Sequence, residues 1–180
     1  MSEQDAKLNE AVRDIFQSWA VLEIGLSMYM GRLLMTDQFR GRIVWDGLRN
    51  FSPRLDLIRK LVTTYVDGSE CEEVLAKLKT CRTLSKTRNK LAHQIFYIPE
   101  DSPHHVVFHK TERFTDAQGM EFLDDEKIQL QSLVNYPDQI KELGAFFGTR
   151  GNPGHVTSDL TLSIHVKTKW HRNLTSATEI

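Results

Sequence analysis

The chain has 180 residues, which suits one domain of ordinary size with a short extension. Hydrophobic residues make up 40% and charged residues 26%, so the composition excludes wholesale disorder and a fibrous protein. The 23 basic and 24 acidic residues give a net charge of −1, which argues against a protein that coats nucleic acid by bulk charge. Two cysteines, Cys71 and Cys81, cannot build a disulfide framework or a cysteine-based zinc site.

The sequence shows no membrane or export signal. Residues 1–7 are polar and lack the apolar core of a signal peptide. The longest apolar stretch, residues 19–34, contains Glu23 and Arg32, whereas a membrane-spanning helix needs about 20 uninterrupted apolar residues. We therefore expect a cytoplasmic protein with no membrane contact.

Apolar residues three or four apart predict helices over the first half of the chain. The first helix is expected over about residues 5–35, and residues 37–50 are ambiguous, with enough apolar residues for a short helix. A second helix is expected to begin at Ser52-Pro53, with the serine as N-cap. A third is expected from the capping box Ser69-x-x-Glu72 to about residue 92.

The pattern then changes to short strands. Residues 94–98 and 104–109 have strand character and predict an antiparallel hairpin. A fourth helix is expected from Asp124 or Asp125 to about Phe147, and Pro137 should kink or split it.

The predicted fold is mostly α-helical. We expect an up-down bundle of four or five helices over residues 1–148, with a small inserted β-hairpin at about 94–110. Glycine and proline in residues 148–154 predict a break, and a C-terminal extension at 149–180 follows. Within this extension, residues 160–166 alternate between apolar and polar types, which indicates one strand.

The third predicted helix is strongly basic. Residues 74–98 contain six basic side chains and no acid. Four of the six align on one helix face at steps of three and four residues: Lys79, Arg82, Lys86 and Lys90. This basic ridge predicts a surface that follows the phosphate backbone of RNA. The alternative is an ordinary solvated face near the negative end of the helix dipole.

Arg88 lies on the apolar face of the same helix, and Glu23 interrupts the apolar stripe of the first helix. A guanidinium stays charged, so its burial requires an acceptor. One interpretation is a buried Glu23–Arg88 ion pair with a structural role. The other is that Arg88 faces the same helix of a second subunit and holds a ligand phosphate there.

The run Arg88-Asn-Lys-Leu-Ala-His93 resembles the Arg-x4–6-His signature of the HEPN superfamily, whose members are all-helical bundles and often homodimers. The layout over roughly residues 8–148 is also similar. Many active members are metal-independent endoribonucleases, and others are non-catalytic modules. A toxin subgroup carries a tyrosine two residues after the histidine, where this chain has Ile95; its tyrosine is Tyr97. This departure weakens the resemblance to that toxin–antitoxin type.

The resemblance implies that Arg88 binds phosphate, His93 acts as acid or base, and Asn89 supports them, with Glu23 as an orienting residue. It implies no metal and no cofactor. The partners implied are a second copy of the chain, RNA, and an antitoxin or other protein. The function implied is a metal-independent endoribonuclease in defence or as a toxin. A non-catalytic dimerisation or interaction module is the main alternative, and a hydrolase or nucleotide-binding enzyme is a third.

The chemistry sets a geometric condition. Histidine, with a reference pKa of about 6.5, can take the proton of a 2′-hydroxyl, and arginine can stabilise the phosphorane charge. On one ideal helix the side chains of Arg88 and His93 point about 140° apart. They converge only if the helix ends near Ala92, or if each works with its counterpart from a second subunit.

Three further patterns indicate chemistry less specifically. The histidines of the second strand suggest a metal site, but two on one face lie about 13 Å apart, too far for one ion: His104, His105 and His109. The acidic run at residues 124–126 is better explained as charge at a helix N-terminus. A second Arg-x4-His match begins at Arg150, in the glycine- and proline-rich region, and is interpreted as a coincidence.

Overall fold

The computed structural model describes residues 2–115 and 119–152, with side chains described for residues 2–109 and 126–152. Most of this part of the chain lies in five helices: α1 (Glu3–Leu33), α2 (Gln38–Gly47), α3 (Phe51–Tyr65), α4 (Gly68–His93) and α5 (Leu130–Gly151). Three strands lie between α4 and α5: β1 (Ile95–Tyr97), β2 (His105–Thr115) and β3 (Gly119–Gln129). The predicted fold class, a mostly helical bundle with a small β insertion, is confirmed.

Helix α1 is the centre of the bundle, and it contacts each of the other four helices. Its start is fixed by a capping box, in which Ser2 accepts from the Asp5 backbone N–H and the Asp5 carboxylate accepts from the Ser2 N–H. The core contains Leu22 and Leu26 from α1 and Phe147 from α5, each fully or almost fully buried. Within the described residues, no helix is long and apolar enough to cross a membrane.

The ambiguous residues 37–50 form helix α2, which packs closely against α1. A Cβ atom added to Gly41 would lie 2.5 Å from the Cα of Gly31, so only glycine permits this approach. Trp45 is fully buried, and the ring of Phe51 lies 4.8 Å from that of Trp19 on α1. These contacts hold the connection between α2 and α3 against the first helix.

Two predicted helix starts are wrong by two residues each. Helix α3 begins at Phe51 with Asn50 as N-cap, so Ser52 lies inside the helix. Pro53 is tolerated because the first-turn N–H groups have no intrahelical acceptor. Helix α4 begins at Gly68, whose φ of 66° suits glycine, and the capping box expected at Ser69 is not formed.

The predicted antiparallel hairpin is confirmed, since β1 pairs with β2 and places Phe96 opposite Phe108. The helix expected from residue 124 is wrong there, because β3 occupies that segment and α5 begins at Leu130. Strand β3 pairs with β2, placing Ile128 opposite Val106. The Leu130 N–H donates to the carbonyl of His104, which ties the start of α5 to the start of β2. This long-range pairing overrides the local helical pattern.

Helix α5 continues through the residues expected to break it. Pro137 lies inside the helix without dividing it into two elements, and the helix ends at Gly151 instead of near Phe147. A Cβ atom on Gly151 would lie 2.6 Å from the backbone of Met28, so this glycine serves the close packing of α5 on α1. The predicted strand at 160–166 lies outside the described residues.

Candidate functional site

A cavity of about 520 Å³ opens where α1, α4 and the start of α3 meet. Its walls come from three parts of the chain. Helix α1 contributes Trp19 and Glu23; the α2–α3 connection and the first turn of α3 contribute residues 49–54; and α4 contributes Ser85, Arg88, Asn89 and His93. The cavity therefore gathers all the residues that the HEPN resemblance assigns to a catalytic or orienting role.

Arg88 lies at this cavity, partly buried, with its guanidinium carbon 5.3 Å from the centre of the Phe16 ring. Its Nη1 donates to Oδ1 of Asn89 at 3.3 Å. Its Nε is buried and has no hydrogen-bond partner in the described part of the chain. Arg88 forms no ion pair with any carboxylate described there, so its charge stays available to a ligand.

Asn89 therefore orients the arginine directly, through its side-chain oxygen. The role expected for it was support of His93 or of the phosphate. Asn89 is also exposed and lines the same cavity.

His93 is the last residue of α4 and is exposed. The following residue, Gln94, has an extended backbone with φ −112° and ψ 154°. Helix α4 thus ends one residue after Ala92, close to the position where a helix end lets the side chains of Arg88 and His93 converge. Because Arg88 and His93 line one cavity, a single chain brings the two side chains to a common space.

Glu23 does not pair with Arg88. Its Oε1 lies 3.6 Å from Nη1 of Arg54 and accepts a hydrogen bond of 3.3 Å from the indole nitrogen of Trp19. The expected Glu23–Arg88 pair is therefore not formed. The acid at the centre of α1 is neutralised by an arginine from α3, a residue that the sequence analysis did not select.

Arg54 is the most firmly held cation of the cavity. Its Nε donates to the carbonyl of Leu48 at 2.8 Å, and its guanidinium carbon lies 4.8 Å from the centre of the Trp45 ring. Its side chain is 14% exposed, compared with 26% for Glu23. A signal for this residue was present, because Arg54 lies four residues before the buried Ile58, next to the apolar stripe of α3.

Arg49 is the second lining residue that sequence reasoning missed. It is exposed and lies in the connection between α2 and α3. It carries no periodic signal, since it belongs to neither helix. With it, the described lining residues include three guanidinium groups and one carboxylate, so the site favours an anion.

The basic ridge is partly neutralised. Arg82 donates to Asp56 at 2.6 Å, and Lys90 forms an ion pair with Glu126 of β3. Lys79 and Lys86 are exposed and form no ion pair with the residues described here. Their role in holding RNA stays a prediction.

The weaker candidates have ordinary structural contacts. His109 stacks on Tyr97 with ring centres 5.1 Å apart, and His105 Nδ1 lies 2.9 Å from Oγ of Ser102. Among the described residues, no group of three or more potential ligands is placed to hold a metal. Burial raises the pKa of the Cys81 thiol to about 12, which keeps it in the unreactive protonated form.

The arginine of the second Arg-x4-His match, Arg150, also forms structural contacts. Contrary to expectation, Arg150 lies in helix α5 and not in a loop. Its Nη2 lies 2.8 Å from a carboxylate oxygen of Glu73, and its guanidinium covers the ring of Phe146. His155 lies outside the described residues.

Comparison with protein-family models, with curated proteins and with solved structures finds no match to this chain. The resemblance to the HEPN superfamily therefore remains a hypothesis, and the residues of the cavity are the basis for a proposed function.

Proposed function

We propose that this protein is a HEPN-like, metal-independent endoribonuclease whose active site is the cavity between α1, α3 and α4. One observation carries the proposal: Arg88, Asn89 and His93 open into the same cavity, while the acid expected to neutralise Arg88 is paired with Arg54. A fixed cation and a titratable imidazole, both accessible to a ligand, are the groups that phosphodiester cleavage needs.

The chemistry follows from these two groups. His93 removes the proton from a ribose 2′-hydroxyl, and the 2′-oxygen attacks the adjacent phosphorus. The bond from phosphorus to the 5′-oxygen breaks, the leaving oxygen takes a proton from water, and the hydroxide so formed takes back the proton held by His93. The products are a 2′,3′-cyclic phosphate and a 5′-hydroxyl. Arg88 donates hydrogen bonds to the phosphorane oxygens, whose negative charge is greatest in the transition state.

The surroundings of the cavity suit a phosphate chain. Lys86 lies seven residues before His93, two helical turns away on the same side of α4. The cavity also contains the first turn of α3, where backbone N–H groups and the helix dipole favour an anion. An RNA strand that passes Lys86 reaches His93 without leaving this face. The homodimer, the role in defence or as a toxin, and an antitoxin partner belong to the same proposal and derive from the resemblance.

The proposal is tested with a single-stranded RNA in excess EDTA, with a DNA oligonucleotide of the same sequence as control. We expect the RNA to be cut to fragments ending in 2′,3′-cyclic phosphate and the DNA to stay intact, because DNA lacks the attacking hydroxyl. Protein that leaves both intact, or that needs a divalent metal to cut the RNA, contradicts the proposal.

A non-catalytic interaction module is the second candidate, and one observation favours it. The outer face of α2 and the residues before it expose large apolar side chains, with Met35, Phe39 and Ile43 each more than 70% exposed. A surface of this kind is typical of a protein contact. This candidate predicts that the protein cuts neither oligonucleotide and that Phe39→Ser weakens association with a partner.

A further inference from the structure

We infer that Arg54 is a positioning residue: it holds Glu23 away from Arg88, and so keeps the Arg88 guanidinium free for a phosphate. The inference rests on the proposed function, since it concerns the phosphate-binding role of the same cavity.

The first observation is the number of charges. Among the described residues that line the cavity, Glu23 is the one carboxylate, and Arg54 and Arg88 both line the same space. A carboxylate and a guanidinium in one partly buried cavity attract each other strongly, because the surroundings screen the charges less than water does. The structure shows Glu23 with Arg54 and leaves Arg88 without a carboxylate in the described part of the chain.

The second observation is that Arg54 is held from several sides. The Leu48 carbonyl accepts from its Nε at 2.8 Å, and the Trp45 ring lies beneath its guanidinium. Both contacts come from the C-terminal end of α2, so the Arg54 side chain cannot move toward a ligand without losing them. Within the described part of the chain, the partners of Arg88 are the neutral Asn89 amide and the Phe16 ring. The firmly held arginine therefore pairs with the acid, and the weakly held arginine remains for the ligand.

The third observation concerns Glu23 itself. Its Oε1 takes both the contact with Arg54 and the hydrogen bond from Trp19. If Arg54 is removed, the carboxylate loses its cation, and Arg88 is the remaining partly buried arginine of the cavity. The carboxylate then competes with a ligand phosphate for the same N–H groups.

The experiment measures binding of a fluorescein-labelled DNA octanucleotide, which 2′-hydroxyl attack cannot cleave, by fluorescence anisotropy at fixed salt. Arg54→Met is expected to weaken binding about tenfold, the effect of one lost charge-assisted hydrogen bond to phosphate. Glu23→Gln in the same chain removes the competing charge, and the double variant is expected to bind within about threefold of wild type. Arg54→Lys keeps a cation beside Glu23 but loses the Leu48 and Trp45 contacts, so it is expected to bind more tightly than Arg54→Met and no more tightly than wild type.

Arg49→Met is the matched control, because Arg49 lines the same cavity but forms no ion pair with Glu23. Any loss of affinity for the DNA in the Arg49→Met variant should persist when Glu23→Gln is added. Restoration by Glu23→Gln in the Arg49→Met chain would overturn the inference, since it would show a general charge effect.

Two further results would overturn the inference. If the Arg54→Met/Glu23→Gln variant binds as weakly as Arg54→Met, Arg54 contacts the ligand itself. If Arg54→Met binds as tightly as wild type, Arg54 has no part in binding. Should Arg54→Met alone fail to fold, the double variant has no unpaired carboxylate and can still be measured, and weak binding by it overturns the inference because Arg54 would then contact the ligand itself. Because binding is measured without cleavage, an absence of ribonuclease activity leaves this test intact.

Discussion

His93→Ala is expected to lower the rate of RNA cleavage in EDTA by about 10² to 10⁴, the range that general acid–base catalysis contributes. The imidazole is exposed at the end of α4 and lines the cavity, so its removal should take away the proton acceptor without disturbing the core. Thermal stability should therefore change little. The measurement is the initial rate of cleavage of a labelled RNA, with the melting temperature measured in parallel.

His104→Ala is the matched control for this variant. His104 is also an exposed histidine, but it precedes β2 and does not line the cavity. The His104→Ala variant should cleave RNA at the wild-type rate. Equal activity of wild type and His93→Ala would remove His93 from the mechanism, and equal losses in the two variants would show that neither effect is catalytic.

Arg88→Ala should lower the cleavage rate by about 10² to 10³, the loss seen when one preorganised donor to a developing oxyanion is removed. Arg88→Lys keeps a positive charge but loses the planar pair of donors, so an intermediate rate is expected. Because the guanidinium packs on Phe16, both variants also need a stability measurement. The rate per folded molecule is the quantity to compare.

Arg82→Ala serves as the control on the same helix. Arg82 is exposed and paired with Asp56, and it does not line the cavity. Its loss should change the rate by less than about threefold, since exposed ion pairs contribute little. If Arg88→Ala keeps wild-type cleavage, Arg88 has no catalytic role. If Arg88→Ala loses stability while neither it nor the wild type cleaves RNA, Arg88 has a structural role and the non-catalytic module is favoured.

Much of the site could be predicted from local sequence patterns, because its charged residues interrupt the apolar faces of clear helices. Glu23 and Arg88 stood out as charges within apolar faces, and the end of the basic helix located His93. Arg54 carried the same signal in α3, at the edge of the stripe that contains Ile58. The sequence pattern pointed only to Arg88 as the partner of Glu23. Arg54 takes that place because Leu48 and Trp45 hold it, contacts that exist only when α2 and α3 are packed together.

The errors in the fold have a related cause. Strand β3 was missed because its residues resemble the start of a helix locally, whereas its pairing with β2 is a long-range interaction. The helix through Gly148 was missed because glycine usually ends helices. Here Gly151 is required for close contact with Met28, an effect visible only when α1 and α5 are packed together.

The proposed mechanism requires Arg88 and His93 to face one ligand in one cavity. The most direct measurement is an NMR titration of isotope-labelled protein with an uncleavable DNA oligonucleotide, following the side-chain resonances of Arg88 and His93 together with those of His104 and His105. We predict that the Arg88 Nε–H and the His93 ring resonances shift together with one affinity, while those of the two hairpin histidines stay in place. Shifts confined to the backbone amides of Lys79 and Lys86, with Arg88 and His93 unmoved, would contradict the account.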